Sequence, residues 1–266
     1  NLSKPFDNDA GVEPPHPLYG DPEFRKAIGF AINRDRIANE VLNDSVIIDS
    51  VLSVGWIMAE VDTWVYDPDE AASILDAAGW KLNGDVREKD GVKAEFVCNG
   101  YTGYLPNELQ QLAIQEDLAK VGITMKIENQ DFAVIFGTWA DGSPRMTGDF
   151  DALFYDDGFF IEPHNSIVLR YHPDSVPSES NPSGQNFIRW VRKDVGEWLD
   201  AAGSTPDRDM RRENYQKVAE AMREDAPVIP IVQFTEGNAY STRLHGFVVS
   251  TWEYSTWDAE NWWLES

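Results

Sequence analysis

The chain reads as an α/β protein: a mixed sheet with a parallel βαβ core, flanked by helices. Three observations carry that reading. The strand-like run Val92–Cys98 is followed by a loop, a helix-patterned segment stopped by Gly122 and a second strand-like run, Ile123–Gln130. That is the order of a crossover unit, which joins parallel strands. A third apolar run, Asp149–Asp157, comes later, and helical period returns over Asp194–Gly203 and Asp207–Ala226.

Taken in order, the chain opens on a Pro-rich lead-in without an initiator Met, so an earlier segment is expected to have been removed. Phe24, Ala27, Ile28 and Ala31 then fall at helical spacing. Asn33 makes an N-cap for a second short helix with Ile37, Val41 and Leu42 on one face. Ser45–Trp64 is apolar but lacks helical period and is expected to be extended or irregular. In Tyr66–Trp80, Asp67 caps a helix, Pro68 takes its first position, Glu70 completes a capping box and Gly79 ends it. The pairs Asn83-Gly84 and Asp90-Gly91 mark hairpin turns.

The crossover helix is expected near Asn107–Val121. A short helix over Phe132–Ala140 and a turn over Asp141–Gly148 lead to the third strand. A long loop rich in Pro and Ser is expected from Gly158 to Gly184. After the last two helices, Val228–Phe234 and His245–Ser250 read as strands. The tail carries Trp252, Trp257, Trp262 and Trp263.

A chain of 266 residues with 42% hydrophobic residues can bury a sizeable core without a disulfide. The lone Cys98 lies in an apolar run and is expected to be a small buried hydrophobe. Net charge is −24, with 46 acids against 22 bases, which argues against nucleic acid or an anionic membrane surface as a partner. The acids are dispersed, which suits a secreted or salt-adapted protein. No apolar run approaches the ~20 residues of a membrane-spanning helix.

Motifs for catalysis are missing: no GxSxG, HExxH, Walker loop or GxGxxG occurs, and His16, His164, His172 and His245 show no metal-ligand spacing. No catalytic residue, metal or cofactor is assigned. Asp149, Asp151, Asp156 and Asp157 lie at the end of a strand, where α/β folds place their sites, and paired carboxylates could do acid–base work. Asp156 and Asp157, being adjacent, should point to opposite faces. In a chain this acidic, solvated or ligand-bonding acids are the simpler reading. Aromatics stand in Gly-bearing loops: Trp56, Tyr101, Tyr104, Trp139, Phe159 and Phe160. Rings at strand ends suit a cleft that grips an organic ligand. The ligand-site candidates are Trp139, Tyr155, Asp156, Asp157 and Phe159, with Tyr101 outlying and Trp56 as a further place to look.

The order of segments resembles a known family. "KPFDND", "FRKAIGFAINRDRI", "YDPDEAASILDAAGW", "LAKVGITMKIENQD", "GDFDALFYDDGF" with Glu162-Pro163, "GQNFIRW", "DRDMRRENYQKVAEAMREDAPVIPI" and "LHGFVVS" follow one another as in the C-terminal half of extracellular solute-binding proteins of family 5. These are oligopeptide, dipeptide, nickel and oligosaccharide receptors of ABC importers. The resemblance implies the C-terminal lobe of a type II periplasmic-binding-protein-like fold. Residues 1–20 would be a hinge-proximal lead-in, 21–232 the ligand-binding lobe and 233–266 a segment returning to a missing N-terminal lobe. It makes the Phe24–Leu42 helix pair a packing element that starts the lobe.

The partners implied are a small organic solute, an ABC permease and that N-terminal lobe. The location implied is extracytoplasmic, periplasmic or cell-surface, with a lipid anchor on the full-length protein. In peptide-binding members an Asp after the third strand holds the peptide amine. Alignment on Glu162-Pro163 places Phe159 there, with Asp156 and Asp157 close by. Arg145 is the one nearby candidate for a peptide carboxylate. Peptide and oligosaccharide both fit these residues; frequency within the family favours peptide. A secreted hydrolase using the strand-end acids is the alternative of another class, and it requires two carboxylates converging on one spot.

Overall fold

The computed structural model describes residue 2 and residues 15–43, 45–53, 55–159, 162–235, 237–250 and 253–265. Most of the lead-in (3–14), Phe160 and Trp252 lie outside the described residues. Helix α1, Pro22–Ala31, begins at Asp21, whose side chain accepts from Glu23 N at 3.0 Å, and Pro22 takes the position where a missing N–H costs nothing. Phe24, Ala27, Ile28 and Ala31 are buried, as their spacing requires. Asn33 caps the next turn, accepting from Arg36 N at 2.9 Å. That second helix is shorter and wider than expected. α2 covers Arg34–Arg36 and runs on into a π-type turn, Ile37–Val41.

Strand β1, Val46–Ile47, is the only regular element among the described residues of the irregular Ser45–Trp64 stretch. Helix α3, Pro68–Ala77, starts at Asp67, which accepts from Glu70 N at 2.9 Å, and it ends at Gly79 with φ +91°. Strands β2 (Lys81–Asn83), β3 (Val86–Lys89) and β4 (Val92–Lys93) form an antiparallel sheet. Asp90 and Gly91 both have positive φ (52° and 80°), the requirement of a tight hairpin turn.

The expected strand Val92–Cys98 is in fact two. Its first residues belong to the hairpin sheet and the rest, β5 (Glu95–Asn99), to a second sheet. The chain changes partner at Ala94, whose N–H bonds Arg87 O and whose carbonyl accepts from Thr124 N, both at 2.8 Å. Helix α4, Leu105–Lys120, then leads through Gly122 (φ +78°) to β6, Thr124–Ile127. β5 and β6 pair in parallel, so the crossover unit forms as the sequence predicts. Short helices α5 (Phe132–Ile135) and α6 (Pro144–Thr147) follow; the second replaces an expected turn.

The third strand is much shorter than Asp149–Asp157. β7 is Ala152–Leu153, parallel to β5 on the side away from β6. The region expected as one long loop holds helix α7, His164–Tyr171. Ile167 and Tyr171 are its buried apolar residues, an i, i+4 pair that the surrounding Pro and Ser obscure. Helices α8 (Lys193–Gly203) and α9 (Arg208–Asp225) pack on it. β8, Val232–Gln233, pairs with β1. The expected strand His245–Ser250 reduces to β9, Leu244–His245, paired with β10, Trp263–Leu264.

Among the described residues three apolar clusters form, a small one around Phe187 and two large ones. One joins α1, α3, α4 and the parallel sheet around Phe24, Trp80, Phe96 and Ile123. Cys98 belongs to it, and burial pushes its thiol up to about 12. The other joins α7, α8 and α9 around Ile167, Leu199 and Tyr215. Asp225 fastens one to the other: its carbonyl accepts from Arg25 Nε at 2.7 Å and its carboxylate from Trp190 Nε1 at 2.8 Å.

The short β7 is held by a side chain as well as by backbone. Asp151 Oδ2 accepts from Val97 N at 2.9 Å, and Oδ1 bonds Nε2 of the buried His16 at 2.9 Å. His16 Nδ1 in turn accepts from Leu18 N and Tyr19 N at 3.2 and 3.1 Å. We expect Asp151→Ala to lower the unfolding free energy by about 2–3 kcal/mol, the cost of leaving a buried donor and a backbone N–H without a charged acceptor. Asp149→Ala, at an exposed position two residues away, should stay within about 0.5 kcal/mol. Urea unfolding of the two variants checks this; equal effects would show that the carboxylate does not hold the strand.

Candidate functional site

Because β5, β6 and β7 are parallel, their C-terminal ends share one edge of the sheet. The loops that leave them carry the candidate residues, as open α/β sheets lead one to expect. Tyr101 follows β5 and is fixed by a parallel bridge to Gln130, which follows β6. Thr102 N and Gln130 O complete that contact at 2.9 Å.

Tyr101 is the centre of an aromatic group. Its ring stacks on Tyr104 at 6.0 Å and meets Phe132 and Phe136 edge-on at 5.5 and 5.8 Å. Phe132 and Phe136 stack at 4.5 Å, one turn apart at α5. Phe136 meets Tyr155 edge-on at 5.5 Å. Tyr104 also touches Phe234, beyond β8, at 6.1 Å. These are offset and edge-to-face geometries, in which the ring quadrupoles attract. Four segments thus contribute to one wall, three of them following the parallel strands.

The two acids diverge. Asp156 Oδ1 accepts a short hydrogen bond from the Tyr101 hydroxyl and a second from Asn107 Nδ2 at 3.0 Å. Its Oδ2 has no hydrogen-bond partner among the described residues, and the side chain is exposed. Asp157 turns to Arg170 of α7. Both its oxygens are engaged by that guanidinium, Oδ2 by Nε and Oδ1 by Nη2 at 2.6 Å. Arg170 also lies 5.3 Å from the centre of the Phe159 ring. Burial works against the charge on Arg170, but the bidentate pair outweighs it and the guanidinium is held more firmly protonated.

Burial raises the Tyr101 phenol above its ordinary range, and the bond to Asp156 adds to this. Burial, then the charge of Asp157, pushes Tyr155 up to about 12. Both phenols therefore stay neutral at physiological pH, and Tyr101 donates to Asp156. Arg145 lies between two rings, 4.5 Å from the centre of Phe136 and 4.6 Å from that of Phe187. It donates to Phe136 O at 3.3 Å, while its buried Nε has no partner among the described residues.

Of the sequence-predicted residues, Tyr101, Tyr155 and Asp156 come together on the wall. Asp157 and Phe159 adjoin it through Arg170. Trp139 packs instead with Met146, Phe150 and Phe187. Trp56 belongs to another cluster, beside Tyr215 at 5.9 Å and under the Arg211 guanidinium at 4.8 Å. Phe132, Phe136, Asn107 and Arg170 are the residues that sequence reasoning missed. Phe132 and Phe136, spaced i, i+4 just after a strand, were the available signal. Arg170 had none, since α7 itself was not expected. Of the other two acids, Asp149 is exposed and Asp151 points back into the sheet toward Val97 N. Asp151, Asp156 and Asp157 thus each serve a different partner.

A family model for bacterial extracellular solute-binding proteins, family 5, matches residues 5–176. The oligopeptide-binding protein AppA of Bacillus subtilis is 24% identical over 93% of this chain and 45% of its own length. A dipeptide-binding protein of Pseudomonas aeruginosa is 25% identical over 88% and 42%. The AppA structure with a nonapeptide superposes with a TM-score of 0.74 at 22% identity, covering 94% of this chain and 49% of that one. NikZ of Campylobacter jejuni with Ni(L-His) superposes at 0.78 and 22%, covering 98% and 50%. The chain spans about half the length of the curated relatives it matches. With its parallel crossover unit, its strand-end wall and a family match over most of its length, the chain belongs to the bacterial extracellular solute-binding proteins of family 5.

Proposed function

We propose that this chain is the ligand-gripping lobe of the solute-binding component of an ABC importer, and that the solute is an oligopeptide. The observation that carries the reading is the strand-end wall: Tyr101, Tyr104, Phe132, Phe136 and Tyr155 in contact around a carboxylate with one oxygen open. A peptide offers apolar side chains to such rings and an ammonium group to such an oxygen. Arg145, ring-held and short of partners, is the proposed counterpart for a carboxylate. The peptide-binding names of AppA and of the Pseudomonas relative support the ligand class.

Capture fits these acids better than hydrolysis does. Hydrolysis by paired carboxylates needs both on one reacting centre. Here Asp157 is neutralised by Arg170 and Asp151 is spent on the sheet. The reading requires no cofactor. It assigns residues 1–20 to a hinge-proximal lead-in, 21–232 to the lobe, and 233–266 to a segment packing on an N-terminal lobe of the full-length protein. The exposure of Tyr254, Trp257, Trp263 and Leu264 supports that last assignment. The full-length protein would work outside the cytoplasm, lipid-anchored, and deliver its solute to a membrane permease; the extracellular description of the family supports this.

Calorimetry with trialanine, N-acetyl-trialanine and cellohexaose tests the ligand class. Trialanine should bind, and acetylation should weaken it roughly tenfold or more, the worth of one charge-assisted hydrogen bond. Binding of the oligosaccharide alone would overturn the peptide reading. Asp156→Asn should weaken trialanine by a similar factor while the melting temperature moves by less than about 2 °C, since the group is exposed. A large fall in melting temperature with unchanged affinity would make Asp156 a structural residue and move the site elsewhere.

A further inference from the structure

The first half of helix α4 is built inside out. Asn107, Gln110 and Gln111 are 4%, 2% and 1% exposed, whereas Leu105, Leu109 and Leu112 are 61%, 37% and 50% exposed. Three amides in the interior of a helix cost stability unless each is fully bonded. The bonds of Asn107 and Gln111 run to the loops of the strand-end wall, and Gln110 braces Asn107. Asn107 Nδ2 donates to Asp156 Oδ1 at 3.0 Å and lies 3.4 Å from the Tyr101 hydroxyl. Gln110 Nε2 donates to Asn107 Oδ1 at 3.4 Å and to Pro106 O at 3.3 Å. That contact sets which end of the Asn107 amide faces Asp156.

Gln111 and Asn129 form a reciprocal amide pair at 3.0 and 2.7 Å. Gly100 rests on that pair. A Cβ there would come within 2.9 Å of Asn129 Oδ1, 3.0 Å of Gln111 Nε2 and 3.0 Å of Phe154 O. The residue before Tyr101 is thus pressed onto the amide pair, and Tyr101 itself is bridged to Gln130, next to Asn129.

We propose that the buried amide face of α4 is the positioning layer of the site: Asn107 aims the open oxygen of Asp156 outward, and Gln111 with Asn129 seats Gly100 so that Tyr101 reaches Asp156. The proposal rests on reading the strand-end wall as the ligand site, but its geometric content holds without any ligand. Asp156 is exposed and would otherwise sample several rotamers. Tying Oδ1 to two donors leaves Oδ2 at one place. None of the three amides need touch the solute.

The test uses the whole chain, labelled at tyrosine Cζ, with the Tyr101 resonance assigned by Tyr101→Phe and its unbonded position marked by Asp156→Ala. Asn107→Leu and Gln111→Leu should each move the Tyr101 resonance toward the Asp156→Ala position and weaken trialanine about tenfold. Leu112→Gln, on the exposed face, should leave the resonance in place. Gly100→Ala should act as Gln111→Leu does, and it carries the test should either amide variant fail to fold. A Tyr101 resonance that stays at its wild-type position in folded Asn107→Leu, Gln111→Leu and Gly100→Ala, with only the melting temperature lowered, would overturn the proposal. Resonance shifts as expected, with no trialanine bound even by the unaltered chain, would uphold the positioning layer and count against the peptide reading.

Discussion

The Asp151 carboxylate is the constraint on which the strand-end geometry depends. β7 pairs with β5 at only two positions, Cys98↔Ala152 and Asn99↔Leu153. Two ladder positions fix a register weakly. Asp151 extends the strand by one side-chain bond to Val97 N and anchors the chain through His16 to the segment before α1. A shift by one residue would exchange the faces of everything that follows, sending Asp156 toward Arg170 and Asp157 toward Tyr101. Which of those two acids faces Tyr101 and which faces Arg170 is therefore a consequence of where Asp151 is bonded.

The same economy governs the cations. A chain with more than twice as many acids as bases has few positive groups to spend, and most of its arginines are spent inward. Arg25 donates to Asp225 O, Arg34 to Ile48 O, Arg87 to Val121 O and Trp80 O, and Arg223 to Asp62 O. A guanidinium has five donors in a fixed plane, so one side chain can close several loop carbonyls that no regular element satisfies. Many of these carbonyls lie in segments without helix or strand, which is how a chain with such short strands keeps its loops in place. The surface is left mainly to carboxylates, with some exposed lysines such as Lys81 and Lys193 among them, and the mutual repulsion of the carboxylates is softened by solvent and salt.

Local chemistry made much of this legible in sequence. Asp21-Pro22 and Asp67-Pro68 are cap-and-start signals that work from neighbouring residues alone, and both helices begin there. Asp90-Gly91 needs only positive φ at two positions. The crossover unit was visible because β5, α4 and β6 are consecutive. What escaped depends on contacts distant in sequence. Ala94 divides an unbroken apolar run because Arg87 and Thr124 claim it from two sheets. β7 shrinks because pairing ends at Leu153, while the alternating pattern continues into the site. α7 was hidden by composition: Pro and Ser on either side outvoted eight residues of helical spacing. Of the strand-end wall, Tyr101, Tyr155 and Asp156 were legible from their position after strands. Asn107 was not, because an amide on a helix reads as a surface residue.

The second helix of the opening pair shows why packing and site cannot be separated in this fold. Asp117 of α4 is fully buried, with Arg36 at 3.0 Å, Lys120 at 2.7 Å and Asn33 N at 3.0 Å around it. A carboxylate removed from water is tolerable only when its oxygens are bonded in this way. The pair of helices at the start of the chain, which holds no residue of the strand-end wall, thereby fixes one end of α4. The other end of α4 carries Asn107, ten residues or nearly three turns away. A helix is stiff over that length, so the orientation set at Asp117 is transmitted to the wall. The opening helix pair contributes to the strand-end wall without touching it.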